Sequence, residues 1–564
     1  MPIPRLLATA ALLLLGGGSV FAQALLVHNA RGLTLDERGR VIRFDAMQIG
    51  VDGRVQAIGK LGELPPGDLP RLDAGGRVLM PGLIDAHGHV LSLGAARRRL
   101  QLRDTTDLPA ALAAVRAHAQ ARPQAAWLTG GGWNQATWQL GRFPTAAELD
   151  TAEAQRPVWL TRVDGHAGWA NSRALQQAGI TRTTPDPAGG RIERDAQGEP
   201  TGVLVDAAMG LVERHVPGDD RQEQAAQLDA AEAELLALGI TTVHDAGISS
   251  DADDLLRERA AAGTLKLRVY GMARGSDGAL MARLRSTGPQ LDAGGADHGP
   301  LGGHYVLRAV KLFADGALGS RGAALLAPYS DAPESRGLLF RSDSELLGQM
   351  RAAAQAGFQV NVHAIGDAAN RQVLAGFETL AREMGARSTR LRHRIEHAQV
   401  VAPSDLPRFA RAQVLASVQP THATSDMNMA EERVGPQRIQ GAYAWQRLIK
   451  AGARLACGSD FPVEEPNPWA GLHAALTRED AAGKPIGGWY RQQTLQPVQA
   501  LDCFTRAAAY AGHAEADLGS LTPGHRADFI LLDRDPLTAS PAALLKTRVL
   551  QTWVGGRQVH RLEP

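Results

Sequence analysis

The apolar positions of this chain change their period twice. Between residues 23 and 79 short alternating runs are broken by glycine: Leu25-Leu26-Val27, Met47-Gln48-Ile49 and Arg54-Val55-Gln56-Ala57-Ile58. A period of two over a few residues marks half-buried strands. Val51-Asp52-Gly53-Arg54 separates two of these runs, and Asp-Gly accepts the positive φ of a tight hairpin turn. Between residues 80 and 514 the pattern lengthens. Apolar strand-like runs at 239–243, 358–363, 391–397 and 454–457 alternate with Ala/Leu/Arg-rich stretches of helical period at 108–122, 221–238 and 345–356. That alternation predicts βα units and a parallel sheet. Residues 515–564 return to short β runs at 528–532 and 549–554, ending at Gly555-Gly556. The two ends read alike and the middle differs, and chain termini commonly lie close together. We therefore expect an α/β protein. Its parts are an enlarged (β/α)8 TIM-like barrel with insertions over 80–514 and a small composite β-sandwich from 23–79 and 515–564.

Residues 1–22 follow neither pattern. Arg5 gives a positive start, Leu6 to Leu15 is an apolar run of signal-peptide length, and Val20-Phe21-Ala22 places small residues at −3 and −1. Gly16-Gly17-Gly18 stops the run well short of a membrane span. A leader cut between Ala22 and Gln23 implies a periplasmic or secreted protein with no membrane attachment after cleavage.

Composition narrows the function. Lys+Arg is 60 and Asp+Glu is 59, a net charge of +1, which lacks the basic excess of a nucleic-acid binder. The 44 % hydrophobic content suits a large folded core. Two cysteines, Cys457 and Cys503, are too few for a disulfide scaffold or a cysteine-ligated cluster, and we expect them free and buried. Seventeen histidines are left to explain.

Several of the histidines stand at strand ends. Leu83-Ile84-Asp85-Ala86 runs directly into His87-Gly88-His89, and side chains two apart on a strand share a face. Lys311 sits inside the apolar run Val310-Lys311-Leu312-Phe313. A buried lysine needs neutralisation or a partner. It can react with carbon dioxide to give a metal-bridging carbamate, or it can pair with Asp315. His363 and His397 end two further runs, and Asp460 follows Cys457-Gly458-Ser459. Catalytic groups of (β/α) barrels gather at the C-terminal ends of several strands, and this set of nitrogen and oxygen donors suits zinc or a similar divalent ion.

These motifs resemble the metal-dependent amidohydrolase superfamily. Val310-Lys311-Leu312-Phe313-Ala314-Asp315-Gly316, Val362-His363-Ala364-Ile365-Gly366-Asp367 and Ile395-Glu396-His397-Ala398 are similar to the branch of N-substituted formamide deformylase and YtcJ-like amidohydrolases. Leu521-Thr522-Pro523-Gly524-His525-Arg526-Ala527-Asp528-Phe529 resembles the stretch that closes the β-sandwich in that family. The resemblance implies that His87 and His89 bind the more buried of one or two metals, that carboxylated Lys311 bridges, and that His363 and His397 bind the second. It also implies that Asp460 contacts the buried metal and acts as general base and acid. The activity so implied is hydrolysis of a carbon–nitrogen bond in a small amide, formamide or cyclic amide. A lactone or ester hydrolase with the same site, and a secreted regulator or binding protein on this fold, are the alternatives. A homodimer is compatible with such a chain.

Four further residues are candidates for substrate contact. Trp133 follows Gly131-Gly132 and can cover a ligand. His166 follows a strand-like run at 158–161. Arg321 suits a substrate carboxylate or a surface ion pair. His422 follows another strand end, at Val418-Gln419-Pro420. His244 reads as packed inward.

Overall fold

The computed structural model describes residues 24–563, apart from 66–67, 164, 188 and 292–302. The leader expected at 1–22 lies outside the described residues. Two compact units emerge: the chain up to Gly88 together with Leu235 onward, and His89–Glu234.

Eight strands of the first unit form one parallel sheet in chain order: β1 (Leu83–Gly88), β2 (Ile240–Ile248), β3 (Arg268–Arg274), β4 (Tyr305–Phe313), β5 (Gln359–Ala364), β6 (Arg394–His397), β7 (Leu415–Val418) and β8 (Leu455–Cys457). These strands are buried on both faces, which is why they read as continuous apolar runs rather than alternating ones. The two edge strands meet: the N–H of Asp460, just past β8, donates to the His87 carbonyl of β1 at 2.7 Å. Asp85 of β1 also accepts from the Ser459 N–H and hydroxyl. The result is the TIM barrel that the alternation predicts. Crossover helices start where local chemistry allows. Asp343–Gln355, for example, opens on a capping box in which Ser342 and Glu345 satisfy each other's backbone N–H.

Both chain ends build the sandwich. A four-stranded sheet takes Leu25–His28, Ala46–Ile49, Val55–Gly59 and Arg71–Asp73, and Gly53 in the predicted hairpin turn has φ 71°. In the six-stranded sheet Phe529–Leu532 runs antiparallel to Val78–Pro81, so C-terminal strands extend an N-terminal ladder. Val27, Met47 and Ile49 share a core with Leu79, Phe529 and Leu531. A buried bidentate pair, Arg268 to Asp528 at 2.6 and 3.0 Å, ties the start of β3 to the sandwich.

Residues 89–234, placed within the barrel domain on sequence, form a unit with its own six-stranded mixed sheet, running from Gly190–Arg194 at one edge to Leu100–Gln101 at the other. Trp133 is wholly buried there, 6.2 Å from Trp169 and 6.5 Å from Trp138 between ring centroids. Its indole N–H donates to the Leu160 carbonyl at 2.7 Å. This corrects the expectation of ligand contact: Trp133 is a core residue whose one polar atom is already used. His166 lies exposed on the same unit, 2.9 Å from the Asp206 carboxylate.

Cys457 and Cys503 are bonded to each other, with Cα atoms 5.1 Å apart. This corrects the expectation of free thiols. Helix Pro497–Cys503 ends against β8, a proximity that 46 residues of intervening sequence conceal. Among the described residues no helix is long and apolar enough to cross a membrane.

Candidate metal centre

The barrel delivers five of the six proposed ligands to one end of the sheet. His87 is on β1, Lys311 on β4 and His363 on β5, while His397 ends β6 and Asp460 follows β8. The rings of His87 and His397 lie 4.8 Å apart, and those of His363 and His397 lie 4.6 Å apart, between centroids. His87 Nε2 faces Lys311 Nζ at 3.2 Å and Asp460 Oδ1 at 3.4 Å. Gly458 permits this closeness, because a Cβ there would fall 2.5 Å from the His87 backbone nitrogen. The sixth, His89, follows Gly88 where the chain leaves β1. His87, His89 and Asp460 each offer a ligand atom within 4.8 Å of one another.

Burial sets the charge state of the cluster. It pushes the His87 imidazole down to about 4, and the charge of Lys311 adds to the effect. It pushes His363 down to about 3 and His397 well below the usual histidine range. Neutral imidazoles are the form that ligates metals. Burial also lowers the Lys311 amine. Asp315 is not its partner: that carboxylate accepts the backbone N–H groups of Ala324, Ile365 and Gly366.

Two of the candidate ligand rings, His87 and His397, are held from behind. Glu396 Oε2 sits 2.5 Å from His87 Nδ1, and Arg394 lies 3.2 Å from the other carboxylate oxygen, all three side chains fully buried. Burial works to raise the Glu396 carboxyl, but Arg394, His87 and Lys311 outweigh it and hold it low. Gln419 Oε1 lies 2.9 Å from His397 Nδ1. The inward-packed His244 reaches Arg394 at 3.0 Å. His397, Ala398 and Asp460 adopt φ of 77°, 45° and 64°, a left-handed backbone that costs about 1–3 kcal/mol at a non-glycine residue and clusters at functional sites. Sequence reading did not assign Glu396, although it stands inside Arg394-Ile395-Glu396-His397. The pattern that would have exposed it is an acid flanked by a cation and a histidine on a buried strand.

A divalent cation fits this geometry. The donors are nitrogen and oxygen, burial favours the neutral form of the His87, His363 and His397 rings, and the buried Nε2 of His363 has no hydrogen-bond partner among the described residues. His422 joins the cluster too, grouped with His397 and Asp460 within 4.8 Å. Arg321 does not: it pairs with Asp331 at 2.8 Å, an acid that Arg433 also engages.

Comparison with known proteins agrees with this geometry. The profile of the Amidohydrolase family matches residues 72–560. Protein LONG AFTER FAR-RED 3 of Arabidopsis thaliana is 34% identical, over 92% of this chain and 88% of its own. N-substituted formamide deformylase of Arthrobacter pascens is 28% identical, over 94% of this chain and 97% of its own. The crystal structure of an uncharacterized metal-dependent hydrolase from Pyrococcus horikoshii superposes with a TM-score of 0.75 at 28% identity, covering 92% of this chain and 99% of that one.

Proposed function

The chain belongs to the amidohydrolase family, and on that premise we propose that it hydrolyses carbon–nitrogen bonds in small amides, formamides or cyclic amides. The observation that carries this reading is the convergence of Lys311, Asp460 and His397 on the buried His87 ring. His87, His89, Lys311, His363 and His397 would hold one or two divalent ions, zinc first among them. A cation so held supplies Lewis acidity and lowers the pKa of water toward neutrality.

The chain's own groups do the rest. Burial disfavours the charged form of Lys311, and as the free amine it would add carbon dioxide at Nζ and release one proton, which would turn an amine into an anionic oxygen donor. Asp460 accepts the proton of the attacking water at a carboxylate oxygen. It then delivers that proton to the leaving nitrogen as the carbon–nitrogen bond breaks. Glu396 and Gln419 keep His87 and His397 presented through Nε2.

Metal analysis followed by a panel of amides, formamides, lactones and esters tests this reading. Turnover of amides or formamides, lost on chelation and restored by zinc, is expected. Turnover of lactones alone would reassign the bond, and a metal-free inert protein would favour the binding reading. The leader at residues 1–22 supports a periplasmic or secreted location, which N-terminal sequencing of exported protein tests by its start at Gln23.

A further inference from the structure

The floor of the barrel, at the strand ends opposite the candidate metal centre, holds a cavity of about 340 Å³. That volume suits a small ligand. Part of its wall is one layer of the sheet. Ile84 of β1 pairs in register with Thr242 of β2, and Thr242 pairs with Arg268 of β3. Arg308 of β4 and Arg526, which leads into the sandwich, line the same cavity. Arg308 precedes Lys311 by three residues, about 10 Å along a strand, so the cavity stands apart from the centre.

The arginines around this cavity are of two kinds. Arg268 is neutralised by Asp528 at 2.6 and 3.0 Å, and Arg54 engages Asp517 at 2.7 Å. The guanidiniums of Arg308 and Arg526 make no hydrogen bond or ion pair with a described residue. Asp528 and Asp517 attract Arg526, but each is already bonded to another arginine. Burial and the charge of Arg268 push Arg526 below the usual guanidinium range. Its head lies against Gly303, where a Cβ would fall 2.6 Å from Nη2.

The histidines of the wall are already engaged. His304 Nδ1 and His513 Nε2 face the Leu267 and Leu391 carbonyls, and His244 Nδ1 faces Arg394. Thr242 is not engaged: it is 4% exposed, and its hydroxyl has no hydrogen-bond partner among the described residues. Uncompensated charge away from water is costly, and guanidiniums answer it best with an oxyanion. Val269, Val306 and Leu518 make much of the remaining wall apolar, which suits a hydrocarbon body better than a bare hydrated ion.

We propose that the floor cavity binds a small organic carboxylate with an apolar body. Arg308 and Arg526 neutralise the carboxylate, and the Thr242 hydroxyl donates to one of its oxygens. The site goes beyond the hydrolase reading and stands whether or not the chain hydrolyses amides.

Benzoate is the probe, titrated by calorimetry at pH 7 into the purified protein. Benzamide serves as its uncharged twin and inorganic phosphate as an anion without an apolar body. Wild type should bind benzoate, and benzamide and phosphate at least about tenfold more weakly. Arg308→Gln and Arg526→Gln should each raise the benzoate Kd at least about tenfold, with metal content and far-UV spectrum as in wild type. A carboxylate can also ligate a metal, so its location is read separately. Wild-type crystals grown with 4-bromobenzoate should show a bromine anomalous peak in the cavity lined by Thr242, Arg308 and Arg526. That map decides alone if an arginine variant does not fold. Absence of benzoate binding, benzamide or phosphate binding as tightly as benzoate, an unchanged Kd in either folded variant, or bromine only beside His87 would each overturn the proposal.

Discussion

Glu396 controls how His87 meets a metal. It is buried, charged, and balanced between His87 and Arg394, and it anchors the Nδ1 side of a ring whose Nε2 faces the centre. Glu396→Gln keeps the shape and removes the charge, so metal affinity should fall about 10–100-fold in a chelator competition. Unchanged affinity would show that the ring is held by packing alone. His393 gives a second residue-scale prediction. Burial pushes its imidazole down to about 3, where Val360 N–H donates to Nδ1 at 3.0 Å and Phe377 stacks on the ring at 5.0 Å. In the unfolded chain it titrates near 6.5. Between those values the unfolded chain binds the extra proton, so stability is full above about pH 6.5. It should then fall by roughly 1.4 kcal/mol per pH unit on acidification from this group. Denaturant midpoints from pH 7 to 5 should fall less steeply in His393→Asn than in wild type, and equal slopes would contradict the assignment. The candidate ligand residues stood out in sequence because His-x-His, a strand lysine and Gly-Ser-Asp interrupt apolar runs. Glu396 and Gln419 did not, since their partners lie on other elements. Glu396 and His87 are 309 residues apart.

At the scale of elements, the disulfide links the last barrel strand to helix Pro497–Cys503 three residues before Asp460. Closing a loop of 46 residues in the unfolded chain should contribute about 2–4 kcal/mol. Cys503→Ser should lower the unfolding free energy by that amount, and a change under about 0.5 kcal/mol would show that packing already fixes the helix. Trp133 belongs to the same scale. Trp133→Ala should destabilise the 89–234 unit by about 3–5 kcal/mol without altering metal content. Metal loss in a folded Trp133→Ala protein would return it to the site. The barrel strands could be read from sequence because burial on both faces leaves an unbroken apolar run. The sheet of residues 89–234 could not. Leu128–Trp133 carries three glycines and no β-branched residue besides Thr129, so its strand pattern is weak. Partly antiparallel strands inside a stretch of helical periods look like barrel insertions.

For the whole molecule, the two chain ends make one sandwich because each supplies half of a ladder that neither could complete. Phe529 pairs with Pro81 and Leu532 with Val78 across most of the sequence. The alternating runs predicted the strands, and only the likeness of the two ends pointed to their partnership. A net charge of +1 sits well with a small substrate rather than a polyanion. The account stands on a metal bound at the barrel strand ends. Its most direct test is the metal content of purified wild type beside His87→Ala/His397→Ala. At least one divalent ion per chain in wild type, lost from a double variant that remains folded, is the predicted result. Wild type without metal, or a double variant that retains it, would contradict the assignment of the centre.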